Sequence, residues 1–125
     1  MTKDFWGSDP FYVNHDNASR GSLKILCGDF AGSTVSIGHM EQIVIGSDPE
    51  SCNIVIRERG ISGKHCMITY NAVSGTYLVM DQSTNGTYFI RDEKHLRLPK
   101  NCAIELRKGT PVYLALEKNA FLLES

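Results

Sequence analysis

The sequence predicts an all-β fold, an antiparallel β-sandwich of short strands with its ligand loops gathered at one end. Apolar runs of four to seven residues, rich in Ile, Val, Leu and Tyr, recur along the chain, and each is closed by Gly, Asn, Asp, Ser or Pro. Within several runs the apolar residues alternate with polar ones, as half-buried strands require. The connections are short, which suits antiparallel sheets better than parallel ones. About ten such runs imply a sandwich or barrel.

The first run, 22–28, sets Leu23, Ile25 and Cys27 on one face. Runs 34–38 and 42–46 follow, the second aligning Ile43 with Ile45, and 53–57 aligns Ile54 with Ile56. Runs 65–70 and 76–80 flank Asn71-Ala72-Val73-Ser74-Gly75, which reads as a hairpin loop. After 87–91 comes a charged stretch, Arg91-Asp92-Glu93-Lys94-His95, expected as a loop. The apolar residues from Thr87 to Leu98 lack helical spacing, and Pro99 stops the segment. Run 102–106, an Arg107-Lys108-Gly109-Thr110 hairpin loop, run 111–116 with Val112, Leu114 and Leu116 on one face, and run 120–124 complete the series. Residues 1–21 carry Gly7, Pro10, Asn14, Asp16, Asn17 and Gly21 with scattered aromatics. They are expected as a loosely ordered arm ahead of a domain at 22–125, either a partner-binding segment or an arm or linker leaning on the sandwich.

A chain of 125 residues holds one domain with one core. Thirteen basic and 14 acidic side chains leave a formal charge of −1, which argues against a nucleic-acid partner. The longest apolar run, Val112 to Leu116, is far below the ~18–20 residues of a membrane span. Without the basic start and apolar core of a secretory signal, the N-terminus points to a cytoplasmic protein. Cys27, Cys52, Cys66 and Cys102 show no Cys-x-x-Cys pair and no zinc spacing, so no metal is expected. Cys27, Cys66 and Cys102 sit among apolar neighbours, as reduced core thiols do. No Gly-x-Ser-x-Gly, His-Glu-x-x-His, phosphate-loop or dinucleotide pattern occurs, so neither an enzyme nor a cofactor is expected.

Two inter-strand segments are polar and glycine-bearing: Arg57 to His65, and Asp81-Gln82-Ser83-Thr84-Asn85-Gly86-Thr87. The first holds Arg57, Arg59 and Lys64 against Glu58, a local sum of 3 − 1 = +2 with His65 neutral. Glycine lets backbone N–H groups approach a ligand closely, and a hydroxyl and cations complete the parts needed to hold one phosphate. His65 beside Ser62 and Cys66 suggests a general base with a nucleophile, or a purely structural imidazole, and the structural role is the expected one. Asn85-Gly86 reads equally as a tight turn.

The segment Ile43 to Ile56 with Gly46-Ser47, then Ile61-Ser62-Gly63-Lys64-His65-Cys66, then Asp81-Gln82-Ser83-Thr84-Asn85-Gly86-Thr87, resembles the forkhead-associated (FHA) domain family, whose pattern is Gly-Arg, Ser-x-x-His and Asn-Gly. The resemblance covers residues ~23–124. It implies an eleven-stranded sandwich, like those of FHA and SMAD proteins, that binds phosphothreonine peptides without catalysis. By position, Ser62 would donate its hydroxyl to the phosphate and Asn85 would bond the peptide main chain. Thr84 would line the site, Gly63 would present a donor, and Lys64 would act as a nearby cation. Gly46, His65 and Gly86 would support these loops. The partner would be a Thr-phosphorylated segment of another protein or of the parent chain, with a Ser/Thr kinase upstream.

The sequence departs from the pattern at Ser47, where the family places the phosphate-binding Arg. Ser47 keeps one O–H donor, but an uncharged donor is about half as strong as a charged one. Two readings follow: a phosphothreonine module in which Arg57, Arg59 or Lys64 restores the charge, or a sandwich with a degenerate phosphate site that docks partners independently of phosphate.

Overall fold

The computed structural model describes residues 20–124. The arm expected over 1–21 lies outside the described residues as far as residue 19. Eleven strands follow: β1 Gly21–Ile25, β2 Thr34–Ile37, β3 Gln42–Gly46, β4 Ile54–Val55, β5 Cys66–Asn71, β6 Thr76–Asp81, β7 Thr87–Arg91, β8 Lys94–Arg97, β9 Ile104–Arg107, β10 Pro111–Leu114 and β11 Ala120–Glu124. They form two sheets, ordered β2-β1-β11-β10-β7-β8 and β4-β3-β5-β6-β9. Every named pairing is antiparallel except that of β3 with the two-residue β4.

Alternation decides which face of each strand is buried. In β1, Leu23 and Ile25 are buried while Ser22 and Lys24 are half-exposed; in β5 and β6, Cys66, Ile68 and Tyr70 oppose Tyr77, Val79 and Asp81 on their own inner faces. Ile37, Ile45, Leu106, Leu114 and Phe121 close the core from the remaining strands. Burying each such side chain stabilises the fold by roughly 1.5–3 kcal/mol. One polar group is drawn in with them: the Tyr77 hydroxyl accepts the Ser22 N–H at 2.9 Å and donates to the Glu124 carbonyl, tying β6 of one sheet to β1 and β11 of the other.

Five local expectations are corrected. The stretch expected as a charged loop, 91–95, is a tight hairpin: Asp92 and Glu93 both take positive φ, 52° and 66°, and the chain reverses directly into β8. All four β8 residues are exposed, and Lys94 and Arg97 charge that edge, which discourages a second chain from pairing there. The run expected to reach Leu116 ends at Leu114, because Ala115 adopts φ 65° and throws Leu116 outward, 51% exposed. The segment 107–110 is not a hairpin but a crossing between sheets, since β9 pairs with β6 and β10 with β7 and β11. The thiol of Cys102, expected in the core, is exposed ahead of β9. The first run also stops at Ile25, and a 3₁₀ turn at Gly28–Phe30 follows.

A two-residue turn with both φ positive favours Asn-Gly, and left-handed backbone costs an ordinary residue ~1–2 kcal/mol. The double substitution Asp92→Asn with Glu93→Gly is expected to stabilise the domain by about 1 kcal/mol or more. Urea denaturation checks it: a higher midpoint at unchanged slope is expected, and a lower midpoint contradicts the turn geometry.

Candidate functional site

Five connections meet at one end of the sandwich: 26–33, 47–53, 56–65, 82–86 and 115–119. Main-chain bonds join them. Leu26 N–H donates to Ala120 at 3.0 Å, Ala115 N–H to Gly86 at 2.9 Å, and Ser47 N–H to Ser62 at 3.0 Å. Gly46 makes the last of these contacts possible. A Cβ there would stand 2.1 Å from the Gly63 carbonyl oxygen and 2.8 Å from that of Ser62, so only glycine lets 56–65 lie this close to the end of β3. The 47–53 segment is stiffened from within. Asp48 accepts the Glu50 N–H at 3.0 Å and the Ser51 hydroxyl at 2.7 Å, while its own N–H and the Cys52 thiol both donate to the Gly63 carbonyl. The Ser51 hydroxyl, and next the Glu50 N–H, hold the exposed Asp48 carboxyl below the usual carboxylate range, with Lys64 adding a smaller pull.

His65 is fully buried at the centre of this cluster. Its Nδ1 accepts the Ser62 N–H at 3.1 Å and its Nε2 lies 2.8 Å from the Gly86 carbonyl. These two partners assign the tautomer, because a carbonyl requires an N–H opposite it and an N–H requires a bare nitrogen. His65 is therefore the neutral, Nε2-protonated form, and burial pushes its proton affinity down. Both nitrogens are committed to backbone groups, and the Ser62 hydroxyl instead accepts the Thr84 N–H at 3.1 Å. No base and nucleophile face each other here. Burial also pushes the Cys52 and Cys66 thiols up, away from the thiolate form that a nucleophile needs.

The 82–86 connection is held from beneath by Asp81, itself fully buried. One oxygen, Oδ1, accepts the Ser83 hydroxyl at 2.6 Å, the Thr87 hydroxyl at 2.7 Å and the Ser83 N–H at 3.2 Å. The Ser83 hydroxyl in turn accepts the Gly86 N–H at 2.7 Å. Gly86 takes φ 97°, which presents its carbonyl to His65 and Ala115 together. Sequence reasoning assigned no role to Ser83 or Thr87. The signal was parity: Tyr77, Val79 and Asp81 alternate inward along β6, so the acid continues the buried face.

What this scaffold presents outward is a row of donors. The Ser62 hydroxyl retains its proton for a ligand. The exposed Gly63 and Lys64 N–H groups donate to no group among the described residues. Thr84 and Asn85 are exposed beside them, and the Asn85 Nδ2 donates to the Gly60 carbonyl at 2.9 Å, joining 82–86 to 56–65 while its Oδ1 stays available. The structure thus brings Ser62, Gly63, Lys64, Thr84 and Asn85 together, with Arg59 one residue from Gly60 and Ser47 bonded through its backbone to Ser62. Arg57 lies apart: it lines a groove with Asp29, Phe30 and Pro49. The 115–119 connection, which no sequence motif marked, enters the site through Ala115 and through Lys118, whose ammonium is 3.5 Å from Glu58.

The family model described as the FHA domain matches residues 43–115, more than half of the chain. Over 61 residues the chain is 44% identical to the probable serine/threonine-protein kinase fhkA of Dictyostelium discoideum, an alignment covering 43% of this chain and 10% of the kinase. Over 59 residues it is 37% identical to the E3 ubiquitin-protein ligase CHFR of Xenopus tropicalis, covering 47% of this chain and 9% of the ligase. The chain thus spans about a tenth of the length of these curated relatives. Among solved structures, the FHA domain of the CT664 protein from Chlamydia trachomatis superposes with a TM-score of 0.69 at 25% identity, over 86% of this chain and 98% of that one. The MEK1 FHA domain in complex with a phosphothreonine peptide of HOP1 superposes with a TM-score of 0.68 at 20% identity, over 86% and 96%.

The buried imidazole makes stability depend on pH in a definite direction. Its folded value lies below the ordinary imidazole value of 6.5, so in acid the unfolded chain binds a proton that the folded chain refuses. Stability is then complete above about pH 6.5 and declines as pH falls through that value. Replacing His65→Ala leaves the Ser62 N–H and the Gly86 carbonyl without this partner, and is expected to cost about 1–3 kcal/mol at neutral pH and to flatten this slope. Denaturation of both proteins between pH 5 and 8 checks it; equal slopes would contradict the neutral buried imidazole.

Proposed function

The chain belongs to the forkhead-associated (FHA) domain family, and on that premise we propose that it is a non-catalytic module that binds phosphothreonine peptides and so makes a protein contact conditional on phosphorylation. FHA domains are in general non-catalytic interaction modules. The observation that carries the reading is the donor row at the loop end: the Ser62 hydroxyl with the Gly63 and Lys64 N–H groups, beside the half-committed Asn85 amide. A phosphothreonine brings about −1.5 to −2 charges and three acceptor oxygens to such a row. Asn85 keeps one N–H and its Oδ1, a donor and an acceptor for the peptide main chain alongside. Thr84 lines the same edge.

Ser47 stands where the family carries its phosphate-binding Arg, so the charge comes from elsewhere in this reading. Lys64 and Arg59, both exposed on the facing loop, supply it, and Ser47 contributes one neutral hydroxyl. The partner is a Thr-phosphorylated segment of another protein or of the parent chain, and a Ser/Thr kinase acts upstream of it. The phosphothreonine peptide in the MEK1 FHA complex supports this class of ligand.

Ser62→Ala and Asn85→Ala are each expected to weaken binding to a phosphothreonine peptide pool by ~1–3 kcal/mol, or about 5- to 150-fold, with the fold retained and its stability lowered by about 1 kcal/mol or less for the lost Thr84 or Gly60 bond. Fluorescence anisotropy with the phosphorylated and unphosphorylated pools reads both effects. Equal affinity of the unaltered protein for the two pools would overturn the reading.

A further inference from the structure

At the end of the sandwich opposite the donor row, the end of β7 and the crossing from β9 to β10 enclose a polar hollow of about 230 Å³. Arg91 and Asp92 line one side, and Arg107, Lys108, Gly109 and Thr110 the other. Arg107 stands opposite Thr76 at the start of β6, whose other end is Asp81, beneath the donor row. The strand rises ~3.3 Å per residue, so roughly 16 Å separate the two ends and one phosphate cannot touch both. Three cations against one carboxylate leave the hollow with a surplus of two positive charges, in a chain whose net charge is −1. Among the described residues none of the three cations has an ion-pair partner. Glu105, two residues before Arg107, accepts the Thr76 hydroxyl at 2.6 Å instead. Cations gathered without counter-charge repel one another, and an entering anion relieves that repulsion.

We propose that this hollow is a second anion site, for a phosphate monoester, and that it works whether or not the loop end reads phosphothreonine. Its donors are placed by the backbone. The Arg91 guanidinium carbon lies 5.2 Å over the ring of Phe89, two residues back on the same face of β7. Lys108 runs along Gly75, where a Cβ would stand 3.7 Å from its ammonium, so that charge sits at the rim. The 107–110 turn adds neutral donors. Its Thr110 N–H closes onto the Arg107 carbonyl at 3.3 Å and Gly109 takes φ 87°, while the Lys108 N–H donates to no group among the described residues. Nothing stands within 4 Å of the place a Gly109 Cβ would occupy, so this peptide is open to a ligand, and Thr110 brings a hydroxyl beside it. Two guanidinium forks with an amide and a hydroxyl suit three oxygens carrying about −1.5 to −2 charges better than the single charge of a carboxylate. The volume falls below the ~300–1,000 Å³ of small-molecule sites, so it fits one phosphorylated group rather than a large cofactor. A phosphorylated side chain of a protein and a small sugar phosphate share that chemistry.

The test is an NMR titration of the full 125-residue chain at constant ionic strength. The probes are a blocked tripeptide centred on phosphoserine, the same tripeptide centred on glutamate, and a hexose phosphate. Saturable shifts are expected at the Lys108 and Gly109 amides and at the Arg91 and Arg107 side-chain N–H signals, with the phosphoserine probe about tenfold or more tighter than the glutamate one. The tighter of the phosphoserine and hexose probes identifies the source of the phosphate. The double variant Arg91→Gln with Arg107→Gln should weaken the phosphoserine probe about tenfold or more at these signals, while the Gly63 and Lys64 amides respond as they do in the parent. Equal affinity for the glutamate probe, or the same shifts with sodium chloride alone, overturns the site. Shifts confined to Gly63 and Lys64 overturn it as well, and leave the phosphothreonine reading standing.

Discussion

His65, sealed from water where the two sheets converge, accepts a bond from the Ser62 N–H and donates one to the Gly86 carbonyl, and the position of every outward donor follows from those two contacts. The Ser62 hydroxyl faces out because its backbone is pinned inward. Gly86, fixed on the other side, sets Thr84 and Asn85 level with it, and the Thr84 N–H and Asn85 amide close back onto Ser62 and Gly60. The same carbonyl of Gly86 also receives Ala115, so three connections share one buried node. A residue with catalytic chemistry is used here as a bracket, and that use is readable from what its nitrogens touch.

The bracket needs a counterweight beneath it, which Asp81 supplies. A buried carboxylate is costly unless hydrogen bonds surround it, and three donors converge on one of its oxygens. All three come from Ser83 and Thr87, so the acid orders the very connection that carries Thr84 and Asn85. Its other oxygen, Oδ2, is buried with no partner among the described residues, so the three bonds at Oδ1 carry the whole compensation for burying the acid. The Gly46 contact does the matching work from the opposite side by letting 56–65 settle against β3.

Strands announced themselves where burial alternated and failed to where backbone geometry intervened. Leu23 with Ile25, Ile43 with Ile45, and Val112 with Leu114 are legible because hydrophobic burial dictates period two. Leu116 fits the same period yet lies outside, because a positive φ at Ala115 is set by the Gly86 carbonyl it bonds, a contact 29 residues away in sequence. The Asp92-Glu93 hairpin hid for a related reason: Glu93 stands where such a turn usually has Gly, and β8 has no buried residue to reveal it. At the loop end, Ser62, His65, Asn85 and Gly86 were marked by the resemblance to the Ser-x-x-His and Asn-Gly pattern of the FHA family. The roles of Ser83, Thr87 and the 115–119 connection were not, since hydroxyls and small loop residues carry little signal until their partners are placed.

The pairing of β1 with β11 has a mechanical consequence. Ser22 stands opposite Glu124, so the chain enters and leaves the sandwich side by side, at the pole farthest from the five converging connections. Anything attached at either end hangs from that far pole, as a flag hangs from its mast. Pulling on both attachments loads only the ladder between two neighbouring strands and the Tyr77 hydroxyl that clasps them, and leaves the opposite pole unstressed. The Ser62, Thr84 and Asn85 side chains sit at the pole opposite Ser22 and Glu124, clear of the two strand ends where that load enters.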